Sequence, residues 1–140
     1  MTIALQNTDR LKLLDLSENN LGPKNFALLL KIFLKNTKIE VLNTADCKID
    51  KICAVELCRI LEKSNSTLRR LYFRNSKIGD EGAIAVASLI RGNVSLVELE
   101  VFNCGISEKG GAEIGDALKT NFCIEKLSIG ENILNKRDVE

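Results

Sequence analysis

Apolar residues recur along the chain in the pattern L-x-x-L-x-L-x-x-N/C-x-L, five times, starting at Leu11, Ile39, Leu68, Leu96 and Ile124. The starts are 28, 29, 28 and 28 residues apart, by subtraction of those positions. A nearly constant period of this length indicates a solenoid built from stacked supersecondary units. Position 4 holds Leu14, Leu42, Leu71, Leu99 and Leu127, and position 6 holds Leu16, Thr44, Phe73, Val101 and Ile129. Side chains two apart share one side of a strand, so these positions predict a short strand with one apolar side. Too short to bury that side alone, each strand must stack in parallel on its neighbours to make a continuous core. Position 11 (Leu21, Ile49, Ile78, Ile106, Leu134) adds to the same frame.

Beyond position 11 the apolar spacing changes from two to about 3.6 residues, which predicts a helix in each unit. The helical stretches are Phe26 to Leu34, Cys53 to Leu61, Gly82 to Ile90 and Gly111 to Leu118. Gly22, Gly79, Asp50, Ser107 and Asn135 stand at the strand-to-helix corner, as turn or N-cap residues. Asn36, Asn65, Asn93 and Asn121 stand near the helix ends, where the tolerance of Asn for a left-handed backbone predicts a helix stop. Asn65-Ser66-Thr67 and Asn93-Val94-Ser95 are formal glycosylation sequons, but their place in the repeat assigns them to turns. Position 9 holds Asn19, Cys47, Ser76, Cys104 and Asn132. A small polar side chain there is expected to bond backbone groups where the strand turns away.

Composition narrows the function. Lys plus Arg is 20 and Asp plus Glu is 19, so the net charge of +1 argues against a nucleic-acid or membrane partner. Histidine is absent, which removes the commonest general base and zinc ligand. Cys47, Cys53, Cys58, Cys104 and Cys123 have neither zinc-site nor disulfide-framework spacing and read as free thiols in a reducing compartment. No phosphate loop, nucleophile elbow or metalloprotease helix motif occurs. We expect no catalytic residues, no cofactor and no metal, and a cytoplasmic location (the host cytosol if the chain is a secreted bacterial effector).

The stretches LKLLDLSENNLG from Leu11, IEVLNTADCKID from Ile39 and LVELEVFNCGIS from Leu96 resemble the ribonuclease-inhibitor-like class of leucine-rich repeats. That resemblance covers nearly the whole chain. It implies an α/β horseshoe over residues 1–140, a single domain with about five parallel strands on the concave side and helices on the convex side. It also implies a protein-interaction scaffold, of a regulatory, innate-immune or pathogen-effector kind. Residues 3–7 and 135–140 read as parts of incomplete repeats. Neither end shows a polar capping repeat, so a piece of a longer protein is expected, or a self-associating one whose open ends are covered by another chain.

A partner is expected on the outward side of the strands, at positions 2, 3, 5, 7 and 8. Of the chain's six aromatic residues, Tyr72 and Phe102 point there from neighbouring strands. Arg69, Arg70 and Arg74 adjoin them, and Glu98 and Glu100 lie opposite as ion-pair partners, with Glu40 also in reach. Tyr and Arg are over-represented among residues that dominate binding energy. The plainer alternative is a surface whose arginines pair with glutamates and whose aromatics cover each other. A GTPase-activating regulator is the alternative function. Relatives of that kind act through an arginine at position 5, where this chain has Asp15, Asn43, Tyr72, Glu100 and Ser128, leaving Arg74 as the one substitute.

Overall fold

A computed structural model describes residues 10–35, 38–64 and 67–133. Five strands, β1 (Leu13–Asp15), β2 (Val41–Asn43), β3 (Arg70–Tyr72), β4 (Glu98–Glu100) and β5 (Lys126–Ser128), pair in parallel in chain order. Equivalent repeat positions face each other, as in Leu14↔Leu42, Leu42↔Leu71, Leu71↔Leu99 and Leu99↔Leu127. Four helices, α1 (Gly22–Lys35), α2 (Lys51–Ser64), α3 (Gly79–Gly92) and α4 (Glu108–Leu118), return the chain between strands and pack each on the next. This is the expected α/β repeat solenoid. The helices begin about a turn earlier than their apolar stretches, because a first turn satisfies no core requirement of its own.

The core is the predicted frame. Ile39, Leu42, Leu68, Leu71, Phe73, Leu96, Leu99 and Val101 are buried beneath the strands, and Leu57, Leu61, Val86, Ile90, Ile114 and Ala117 close it from the helices. Toward the last strand the cover thins, and Ile124, Leu127 and Ile129 are only partly buried.

Position 9 carries out the predicted turn chemistry. Asn132 donates from Nδ2 to the Val101 and Ile129 carbonyls at 2.8 and 2.7 Å, and its Oδ1 accepts the Cys104 and Ile106 N–H groups at 2.8 and 3.1 Å. Cys47 and Cys104 make one-sided versions, their thiols reaching the carbonyls of Leu16 at 2.9 Å and Phe73 at 3.2 Å. Ser76, a shorter donor in the same column, has a buried hydroxyl without a partner among the described residues.

Two corner expectations are corrected. Asn93 is extended (φ −97, ψ 136) rather than left-handed. It works through its side chain, whose Oδ1 accepts the Ser95 and Leu96 N–H groups at 2.8 and 2.6 Å, and Asn121 does the same for Cys123 and Ile124. Position 8 is left-handed instead: Glu18, Asp46, Asn75, Asn103 and Glu131 all have φ between 52 and 62. The second correction concerns Ser107, which caps α4 without using its own side chain. The cap comes from the preceding repeat: Asp80 accepts the Ser107 and Gly110 N–H groups at 2.8 and 3.1 Å and also the Ser107 hydroxyl. Asn36, Asn65, Leu134 and the expected partial repeats at 3–7 and 135–140 lie outside the described residues.

Candidate binding surface on the strands

Strands β2 to β5 are each entered by a repeated kink. The N–H groups of positions 2 and 3 both donate to the position-2 carbonyl of the preceding repeat. Arg69 and Arg70 thus share the Glu40 carbonyl at 2.7 and 3.0 Å, and Val97 and Glu98 share that of Arg69 at 2.8 and 3.0 Å. The kink ends strict alternation before position 3, so position 2 stands ahead of the strand. Positions 3, 5 and 7 then project away from the core side.

Tyr72 and Glu98 meet here on adjacent strands. The Tyr72 hydroxyl donates to Glu98 Oε2 at 2.9 Å. Arg70 Nε lies 3.4 Å from the same oxygen, and Lys126 Nζ lies 3.3 Å from Oε1. Burial raises Glu98, but the Tyr72 hydroxyl, Lys126 and Arg70 together hold it below the usual carboxylate range. Burial, then the bond to Glu98, pushes the Tyr72 phenol up to about 12. Arg70 and Lys126 are largely exposed, so each ion pair is worth a few tenths of a kcal/mol to about 1 kcal/mol. Their effect is to fix where the phenol and carboxylate sit.

One row over, at position 7, the Arg74 guanidinium lies 4.5 Å from the centroid of the Phe102 ring. It also reaches Glu100 Oε1 at 3.9 Å. The ring also lies against Gly130, where a Cβ would stand 3.3 Å from Phe102 Cε2. A larger residue at 130 would displace the ring. Position 8 forms a polar rail beside this row: Asn103 Nδ2 donates to Asn75 Oδ1 and Asn75 Nδ2 to Asp46 Oδ1, both at 2.8 Å.

Six of the seven predicted residues, Arg70, Tyr72, Arg74, Glu98, Glu100 and Phe102, are therefore brought together in two linked sets. Arg69 is not among them. It stands at the kinked position 2 and forms no ion pair with a described residue, because its side chain starts ahead of the strand, out of the row of Arg70. Missing from the prediction were Ser17, Glu18, Asn43, Ala45 and Asp46. With Tyr72, Arg74, Asn75, Glu98 and Glu100 they line an open groove of about 590 Å³ on the same face. Their repeat positions assigned them to this face, but an aromatic and arginine criterion passes over small and acidic residues.

Known proteins place this geometry in a family. A profile described as "Leucine Rich repeat" matches residues 64–87 and 92–115. The pig (Sus scrofa) ribonuclease inhibitor is 28% identical over 132 residues, 93% of this chain and 29% of that protein. The chain is a leucine-rich repeat protein of the ribonuclease-inhibitor-like type. It is also 30% identical over 134 residues to rat (Rattus norvegicus) NACHT, LRR and PYD domains-containing protein 3, covering 93% of this chain and 13% of that protein. The chain thus spans less than a third of either relative. Among solved structures, leiomodin-1 actin-binding site 2 superposes with a TM-score of 0.81 at 18% identity, over 99% of this chain and 81% of that one, a likeness of fold. No helix among the described residues is long and apolar enough to cross a membrane.

Proposed function

We propose that this leucine-rich repeat chain is a protein-binding scaffold that engages a protein partner through the outward side of its strands, around Tyr72, Arg74, Phe102, Glu98 and Glu100. The observation that carries this reading is the preset pair of sets, Tyr72–Glu98 and Arg74–Phe102. Two aromatics and an arginine are already held in place on a rigid sheet, so little conformational freedom is left to lose on binding. The relatives support the same class of role: one is named as an inhibitor of ribonuclease and one solved structure is titled an actin-binding site. Binding rather than catalysis, in the cytoplasm, is the corresponding role. Against the GTPase-activating alternative stand the absence of an arginine at position 5 and the engagement of Arg74 with Phe102 and Glu100.

Affinity capture from cell lysate with quantitative mass spectrometry tests the proposal, using the Tyr72→Ala/Arg74→Ala/Phe102→Ala variant as control. Proteins enriched by the wild type and lost by the variant support it. Identical recoveries by both would remove it. The competing use of the scaffold is self-association at the last repeat, where Ile114, Leu118, Leu127 and Ile129 line an apolar groove of about 390 Å³. Light scattering coupled to size exclusion decides this: a monomer at all concentrations removes it.

A further inference from the structure

The charges of the strand surface are unevenly matched. At positions 3, 5, 7 and 8, repeats three to five carry the cations Arg70, Arg74 and Lys126, and each pairs with a glutamate of β4. Repeats one and two carry Asp15, Glu18 and Asp46 at the same positions and no Lys or Arg. None of these three carboxylates forms an ion pair with a described residue. The imbalance is local, since the whole chain has a net charge of +1.

Two of the acids, Asp15 and Asp46, are held by side-chain hydrogen bonds. Asp15 Oδ1 accepts the Ser17 N–H at 2.9 Å and the Ser17 hydroxyl at 2.6 Å. Those bonds, the hydroxyl first, keep its carboxyl below the usual range, so it is ionised at neutral pH. Asp46 is fixed by the Asn75 amide at 2.8 Å, which occupies one of its two oxygens. Glu18 and Asp46 have left-handed backbones, φ 62 and 57, a conformation that costs an acidic residue free energy. Beside them on β1 and β2, Leu13 and Val41 are register partners. Leu13 is 57% exposed, an aliphatic side chain standing in water on the face that carries the acids.

We propose that the β1–β2 half of the groove receives a cationic segment of the partner protein, a Lys or Arg set beside an aliphatic residue. The cation meets Asp15, Glu18 and Asp46, and the aliphatic side chain covers Leu13 and Val41. The inference rests on the protein-binding reading above and adds the chemistry of the occupant. Charge complementarity is what selects it: three carboxylates with no cation at these positions repel an acidic segment and attract a basic one, while repeats three to five set Arg70, Arg74 and Lys126 against Glu98, Glu100 and Glu131, no net charge. The β3–β4 half, with its preset aromatics, then supplies contact area for the residues that follow.

Two synthetic peptides test this, Ac-Gly-Leu-Gly-Arg-Gly-Arg-NH2 and its counterpart with Glu in place of both Arg, each titrated into the ¹⁵N-labelled chain and followed by amide shifts. The basic peptide is expected to shift the amides of Ser17, Glu18, Ala45 and Asp46, and the acidic one to leave them in place. Raising the salt from low to about 0.5 M should weaken the basic peptide severalfold, since exposed charge pairs are screened. The Asp15→Asn/Glu18→Gln/Asp46→Asn variant should bind it about tenfold more weakly. Glu18→Lys serves if that triple variant does not fold. Equal shifts from both peptides, no shifts from the basic one, or undiminished binding by the variants overturn the proposal. So would a salt-sensitive dimer abolished by the charge variant, which would assign the face to a second copy. The aromatic capture variant separates the two readings: if it loses its partner while the charge variant keeps it, the scaffold reading stands and the cationic segment falls.

Discussion

Asp80 is the sharpest place to test how the repeats are coupled. It sits in the first turn of α3, yet its carboxylate caps α4, accepting the Ser107 and Gly110 N–H groups at 2.8 and 3.1 Å and the Ser107 hydroxyl. Asp80→Ala removes all three bonds and leaves the first turn of α4 with uncapped donors. Loss of an N-cap costs about 0.5–2 kcal/mol, and loss of a negative charge at a helix N-terminus adds about 0.3–1 kcal/mol. The expected destabilisation is therefore about 1–3 kcal/mol, read from urea unfolding followed by far-ultraviolet circular dichroism. Asp80→Asn keeps an acceptor and should lose less than half of that. Burial raises the Asp80 carboxyl, but the Ser107 hydroxyl and the two N–H groups hold it below its ordinary value of 3.8. A lowered folded value places this stabilisation above the unfolded pKa, and it fades as pH falls through the folded one. The difference between wild type and Asp80→Ala should be constant from pH 5 to 8 and shrink below about pH 4. A double-mutant cycle with Ser107→Ala should be strongly non-additive. Additivity, or a loss under about 0.5 kcal/mol for Asp80→Ala, would refute the cross-repeat cap.

Other outcomes can be stated from single sites. Gly110→Ala should destabilise by about 1–3 kcal/mol despite better helix propensity; its Cβ would lie 2.5 Å from Asp80 Oδ1 and 2.8 Å from the Ala83 Cβ, which cannot rotate away. With one tyrosine in the chain, absorbance titration near 295 nm reads Tyr72 directly; it should ionise near 12, and a midpoint near 10 would sink the Tyr72–Glu98 bond. The raised value also means that stability contributed by Tyr72 is complete below pH 10 and lost between there and pH 12. Lys48, exposed with φ 56, should gain about 1 kcal/mol on replacement by Gly, measured by urea unfolding. Ellman's reagent should label Cys123 quickly in the native chain and Cys47, Cys53, Cys58 and Cys104 only on unfolding, since those four are buried.

Much of this molecule is legible because a solenoid repeats its requirements. Positions 1, 4, 6 and 9 recur in register, so the core, the strand faces and the asparagine turns follow from spacing alone. What spacing does not carry is the interaction between columns. Asp80 reads as a first-turn acid of its own helix, and nothing local says that its oxygens cap the next one, 27 residues on at Ser107. Position 8 reads as an outward strand residue; that it is left-handed in every repeat is hidden where the residue is Glu18 or Glu131 rather than Gly. Asn93 and Asn121 stood in the right place for the wrong reason, since Asn satisfies a turn through its side chain as readily as through a left-handed backbone.

The same distinction bears on function. Residues that keep the beat are explained by stacking, so the informative ones are those in the outward columns, which stacking leaves free to vary. There the chain is not uniform: repeats three to five carry aromatics and mutually paired charges, whereas repeats one and two carry carboxylates that pair with no described cation, beside an exposed Leu13. A face made only for solubility would mix its signs, because clustered like charges cost repulsion that interspersed ones avoid. A surface that bears that repulsion on two adjacent repeats, while its neighbours pair their charges, is what the proposed cationic segment would relieve. The sign of the charges says that what lies opposite is basic.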